Sequence, residues 1–241
     1  MMISMMILPV RRCFLGGIAI AANLALFPAY SATSAGIEGT WKIRLPASSF
    51  TPTDGPISFT TDAKQDYEDN KAALEKGDFS FDRTQSRCSS PGVPRLALTP
   101  QLFRIWVRPL GVTFEYEWNR LLRTVDLSGT PIIRPFAGPR VGISQGHWEG
   151  DTLVIKGQYF ADSTLIDDLV PHSDSLVVDE RLHLTNPSTL EDDLTITDPD
   201  SFTRPWHTQV TYTRQPDRAF EEDVCLDRLN AGQLPLPLIK R

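Results

Sequence analysis

Positive charge is scarce in this chain of 241 residues. Lys and Arg number 24 against 30 Asp and Glu, a formal net charge of −6. A nucleic-acid partner requires a basic face, so that class is excluded. Apolar runs of membrane length are missing beyond the N-terminus. No Gly-rich phosphate loop and no Gly-x-Ser-x-Gly elbow occur. The histidines His147, His172, His183 and His207 form neither His-x-His nor His-x-x-x-His, so local metal ligation has no support. There is no internal repeat and no linker that would divide two domains. Cofactor-free chemistry or simple binding remains, and no cofactor is expected.

Apolar residues make up 41% and charged residues 22%, enough for a packed core. The first 35 residues read as an export signal. Phe14 to Phe27 is a Leu/Ala/Ile/Gly run shorter than the ~20 residues a span needs. Arg11 and Arg12 precede it, no acid occurs before Glu38, and the small residues Ser31 to Ala35 follow. Arg11-Arg12-Cys13-Phe14-Leu15 resembles the twin-arginine signal, which implies export of a folded protein to the periplasm. An ordinary secretory signal and an uncleaved anchor are the other readings. After cleavage, residues 36–241 form a single domain with no membrane attachment. That domain keeps Cys88 and Cys225. An even count in an oxidising compartment suggests one disulfide, with two buried free thiols as the alternative.

Local patterns place one helix near the N-terminus, over Thr61–Lys76, capped by Thr61 or Asp62 and ended by Gly77. From Leu102 the period becomes two, with β-branched and aromatic residues. Strands are expected at Phe103–Arg108, Val112–Trp118, Leu121–Leu127, Val141–Trp148 and Thr152–Phe160. Others follow at Leu176–Leu184, Leu190–Thr197 and Trp206–Thr213, after a first short strand at Gly39–Leu45. Tight turns between most of them predict an all-β antiparallel meander, and a run of about eight strands closes most easily into a barrel.

Gly39-Thr40-Trp41 resembles the Gly-x-Trp that opens lipocalin-type (calycin-like) barrels, where the Trp plugs the closed end. Further segments resemble a family of exported, largely uncharacterised proteins of sphingomonads, acidobacteria and their relatives. They are Lys71 to Leu74 with Gly77-Asp78, Cys88 with Pro91 to Arg95, Tyr116-Glu117, and Gly146 to Val154. They continue with Pro171-His172-Ser173, Glu180-Arg181 and Thr203 to Trp206. The resemblance spans nearly all of residues 36–241 and implies a lipocalin-like fold without a settled activity.

Glu117 is the first candidate catalytic residue. Facing a lumen, its carboxylate would be desolvated and suited to proton transfer. Arg123, one strand on, would pair with it or hold a substrate carboxylate; a surface cross-strand pair is the alternative. The polar loop from Asp162 to Ser173 supplies His172, a second acid or base, with Asp167 to orient it. Such a loop can overhang a barrel mouth, or it can be a capped turn. Tyr116, Trp118, Tyr159 and Arg181 are candidates for substrate binding, Arg181 being preferred to Glu180 as the lumenal member of that dipeptide.

Phenolic acid decarboxylases are lipocalin-like barrels that use lumenal Tyr, Arg and Glu without a cofactor. The neighbours Tyr116, Glu117 and Arg123 resemble that set. The resemblance implies a cofactor-independent lyase that releases CO2 or formaldehyde from a phenolic or lignin-derived aromatic compound. The alternative is an exported carrier of a small hydrophobic ligand, and a third reading is a filled barrel of structural role. The partner expected is a small aromatic or hydrophobic molecule; association as a homodimer is compatible with either function.

Overall fold

A computed structural model describes residues 36–236; the export-signal segment lies outside the described residues. Nine strands form one closed barrel: β1 Gly39–Ile43, β2 Phe103–Arg108, β3 Gly111–Tyr116, β4 Leu122–Asp126, β5 Ile143–Glu149, β6 Thr152–Gln158, β7 Val177–Asn186, β8 Thr189–Thr197 and β9 Trp206–Arg214. The count is therefore nine rather than eight. The first short strand, β1, closes the sheet by pairing with both β2 and β9. Closure leaves no edge open to another chain.

The barrel departs from a pure meander at one seam. β4 and β5 are parallel, joined only through Val125–Ser144 and Asp126–Gln145. The long connection 127–142 returns the chain to the opposite end before β5 begins, as a parallel pair requires. The remaining neighbours are antiparallel, and three pairs turn on two residues each, at Pro109-Leu110, Gly150-Asp151 and Pro187-Ser188. Gly150 has φ +60°, a conformation open to glycine at little cost.

Those two-residue turns gather at one end of the barrel, and Trp41 closes it. Its indole is fully buried and donates from Nε1 to the Ile37 carbonyl at 2.8 Å. Arg214, at the end of β9, lies over that indole at 4.2 Å from the ring centroid. Its guanidinium also donates to the carbonyls of Glu38 (2.6 Å) and Gly36 (2.5 Å). One cation thus satisfies the approach to β1 while stacking on the plug, an arrangement worth about 0.5–2 kcal/mol for the stacking alone.

The long connections collect at the other end. α1 spans Thr61–Glu75, where the helix was expected, but Thr60 caps it, one residue earlier than expected. Gly77 ends it, with Asp78 N donating to Ala73 O and Gly77 N to Leu74 O. Two further short helices accompany it: α2, Arg83–Arg87, capped by Asp82, and α3, Cys225–Asn230. The 3-10 turn Arg95–Leu98 enters the barrel mouth, where Val93, Leu96 and Leu98 join the core. Cys88 and Cys225 are bonded, with Cα atoms 5.8 Å apart. The bridge ties the chain ahead of the barrel to the C-terminal segment, as the cysteine count suggested.

Candidate functional site

Alternation along each strand decides which side chains reach the lumen. On β3 the inward residues are Val112, Phe114 and Tyr116; on β4, Arg123 and Val125. On β7 they are Val178, Glu180 and Leu182, and on β8, Leu190, Asp192, Leu194 and Ile196. Three charged side chains therefore sit on otherwise apolar stripes, each 3% exposed. Burying charges this deeply is costly unless they pair.

They do pair. Arg123 Nη1 donates to Glu180 Oε1 at 2.9 Å, and Nη2 donates to Glu180 Oε2. Nε and Nη2 donate to Ser144 Oγ at 3.2 and 3.1 Å. The guanidinium also lies 5.5 Å from the Phe114 ring centroid and against the Tyr116 phenol. Asp192 stands beside this pair as a second acid without a second base. Its Oδ1 is buried and accepts no hydrogen bond from the protein. Burial first, then the Glu180 charge, push the Asp192 carboxyl well above the usual carboxylate range, and a side-chain hydrogen bond with Glu180 acts in the same direction. Burial likewise raises the phenols of Tyr116 and Tyr212, and both stay neutral.

This cluster borders a small cavity shared with Phe103, Phe114, Leu182 and the entering segment 93–97. About 10 Å³ is open there to the centre of a water molecule, room for roughly one water. The segment that closes the cavity is fixed from outside the barrel. Arg95 Nη2 bonds Asp82 at 2.6 Å and Asp168 at 2.9 Å. Gly92, with φ +80°, passes so close to Thr164 that a Cβ there would meet its side chain at 2.9 Å. The loop from Asp162 to Ser173 thus buttresses the segment filling the mouth.

Of the residues singled out from the sequence, Tyr116 and Arg123 meet in the lumen. Glu117 does not face Arg123, because β3 ends at Tyr116 and the chain turns. Its carboxylate accepts from the backbone N–H of Leu102 (2.9 Å) and of Glu221 (3.0 Å), tying the C-terminal segment to the barrel rim. Trp118 is also past the strand, in a small cluster with Cys225 and Leu236. His172 is buried in the buttressing loop, its Nδ1 2.7 Å from the Ser173 carbonyl and its Nε2 2.8 Å from Thr164 Oγ1. Asp167 does not orient it; Oδ1 accepts from Leu169 N and Val170 N at 2.9 Å each, capping a turn. Tyr159 sits in the loop after β6 at φ +58°, beneath Arg134. Arg181 points outward and bonds Glu149 at 2.8 Å, so Glu180 is the lumenal member of that dipeptide.

Glu180 was passed over for Arg181, and Asp192 was missed, although both interrupt an apolar stripe of period two. Among the described residues, no helix is long and apolar enough to cross a membrane, and no three His, Cys, Asp or Glu converge as a metal site.

No family model matches the chain, and no curated protein matches it. Among solved structures it is similar to a secretary abundant heat soluble (SAHS) protein from Ramazzottius varieornatus. That match has 10% identity and a TM-score of 0.34, over 75% of this chain and 96% of the other. The assignment of a closed β-barrel rests on the strand order itself.

Proposed function

We propose that the protein is a carrier that holds a small, largely apolar ligand in the barrel lumen, at the site bounded by Tyr116, Arg123, Glu180 and Asp192. The observation that carries this reading is a buried acid, Asp192, bordering a cavity with the rings of Phe103, Phe114, Tyr116 and Tyr212 around it. An apolar body with one polar group suits such walls. A ligand larger than one water takes space that Val93, Leu96 and Ala97 now fill, so this segment shifts when it binds. Export to the periplasm belongs to this reading, on the strength of Arg11-Arg12 and of the disulfide.

The test is native mass spectrometry of the purified protein against phenolic acids, arylalkyl alcohols and amines, and lignin-type dimers. Intact compounds retained at one per chain are expected. Failure of every compound to bind would reject the carrier.

A second reading is favoured by a specific observation: Asp192, whose proton affinity burial raises, stands beside Glu180 in a water-poor site. That is a suitable pair for proton transfer without a cofactor. As a lyase on phenolic compounds, the protein would use Asp192 as acid, with Tyr116 and Arg123 positioning the substrate. Glu117, His172 and Asp167 would act only by holding the scaffold. A product lighter by CO2 or formaldehyde, lost in Asp192→Asn, would establish this reading in place of the carrier.

A further inference from the structure

The connection between β4 and β5 carries the two most exposed large apolar side chains among the described residues. Ile133 is 88% exposed and Phe136 is fully exposed. Neither is left there by a slack loop. At one foot, Gln145 Nε2 donates to the Thr130 carbonyl, and Ser128 Oγ donates to Thr130 Oγ1 at 2.8 Å. At the other, Ala161 N donates to Pro139 O at 3.2 Å, and a Cβ on Gly138 would meet the Tyr159 carbonyl oxygen at 2.1 Å. Pro131, Pro135 and Pro139 fix φ along the span between. The feet are held against the barrel, and the tip presents Ile133 and Phe136 to water. Apolar side chains held out in this way mark a contact surface.

Charge and size decide what covers them. From Leu127 to Trp148 the chain has no acidic residue and includes the exposed Arg134 and Arg140, although its net charge is −6. Arg134 pairs with Asp174 at 3.1 Å, but both side chains are 66% exposed, and a pair so exposed holds its partners weakly. Two apolar side chains offer roughly 300–400 Å² of contact. That falls well short of the ~1,200 Å² at which stable protein interfaces begin. A bilayer needs no matching pocket: it takes single apolar side chains, and its anionic headgroups attract arginines. We infer that this loop is the edge by which the protein docks on an anionic lipid surface, Ile133 and Phe136 entering the acyl boundary and Arg134 and Arg140 meeting the headgroup phosphates. The same surface repels the acidic remainder of the molecule and so turns this edge toward it. Docking is peripheral and reversible, weaker than that of one myristoyl chain, with a partition constant under ~10⁴ M⁻¹. The inference is independent of what the lumen holds.

Co-sedimentation with sucrose-loaded vesicles tests it, comparing phosphatidylcholine alone with phosphatidylcholine and phosphatidylglycerol in equal parts. The unaltered protein is expected to pellet with the mixed vesicles at millimolar lipid. Its partition onto the neutral vesicles should be at least ~10-fold lower, and high salt should release it from the mixed ones. Ile133→Ser with Phe136→Ser lowers partition at least ~10-fold. Arg140→Glu lowers it on the mixed vesicles and not on the neutral ones. All three positions are exposed, so thermal unfolding of these variants should match the parent. Equal binding to both vesicle types, or no pelleting with either, overturns the inference. Binding that the serine variant leaves unchanged arises elsewhere in the chain, the apolar run Phe14 to Phe27 included, and overturns it as well. Self-association in lipid-free solution that the serine variant abolishes, without vesicle binding by the parent, assigns the tip to a second copy of the chain instead.

Discussion

The guanidinium of Arg123 on β4 meets the carboxylate of Glu180 on β7 across the lumen, with β5 and β6 between them in the barrel wall. The pair links strands that share no backbone hydrogen bonds. Both partners are buried, so each depends on the other for its charge. Removing one strands the other, which typically costs 3–5 kcal/mol, whereas replacing both with apolar residues of similar size is often near neutral.

Glu180→Gln is therefore expected to lower the unfolding free energy by about 3 kcal/mol. Arg123→Met combined with Glu180→Met should recover most of that loss. Urea denaturation of the two proteins checks the prediction, and a double variant as unstable as the single one would contradict it.

Asp192 gives a pH dependence of definite sign. Its folded-state pKa is raised above the unfolded value near 3.8, by burial and then by the Glu180 charge. Its contribution to stability is fully present below pH 3.8 and is lost as pH rises through the folded value. Asn cannot ionise and matches the protonated acid in shape. Asp192→Asn should therefore stabilise the protein at pH 7 relative to the parent, with the difference vanishing near pH 4. Thermal unfolding across that range measures it; a difference that grows on acidification would refute the assignment.

His172 works in the opposite sense. Burial lowers its pKa below 6.5, so the folded protein holds the neutral ring. The Ser173 carbonyl takes the Nδ1 hydrogen, which leaves Nε2 to face Thr164 Oγ1 as an acceptor. Stability from this residue is present above pH 6.5 and lost as pH falls through the folded value. The variant His172→Gln should show a shallower loss of Tm between pH 7 and pH 5 than the parent. Parallel profiles would remove His172 from the acid response.

The disulfide closes a sequence separation of 137 residues. On chain-entropy grounds a loop of that size contributes roughly 4–5 kcal/mol. Cys88→Ser with Cys225→Ser should cost up to that amount in unfolding free energy, while the barrel core, which excludes both cysteines, keeps its near-ultraviolet signature. Guanidinium denaturation together with circular dichroism tests both halves.

Much of this architecture is legible in the residues. Phe103, Ile105 and Val107 share one face of Phe103–Arg108, and β2 begins and ends there. Gly77 marks the end of α1 because its positive φ suits a helix C-cap. The lumenal acids were legible too, had the stripes been followed through. Leu176, Val178, Leu182 and Leu184 share a face with Glu180, and Leu190, Leu194 and Ile196 share one with Asp192. Arg181, one position away, must face outward. Glu117 was out of reach for a different reason. The strand stops at Tyr116, and Asn119 and Arg120 adopt positive φ to turn the chain, which nothing in Val112–Trp118 announces. The parallel β4–β5 seam depends on the path of residues 127–142, a property of the whole barrel rather than of any local pattern.

The most direct test of a lumenal binding site is chemical-shift mapping by NMR of the isotope-labelled protein on addition of whichever panel compound is retained. The account predicts shifts concentrated at Tyr116, Arg123, Asp192, Tyr212 and the segment Val93–Ala97. Shifts confined to the outer groove beside α1, at Phe50, Phe59 and Tyr67, or to the surface hollow around Glu117, would contradict it.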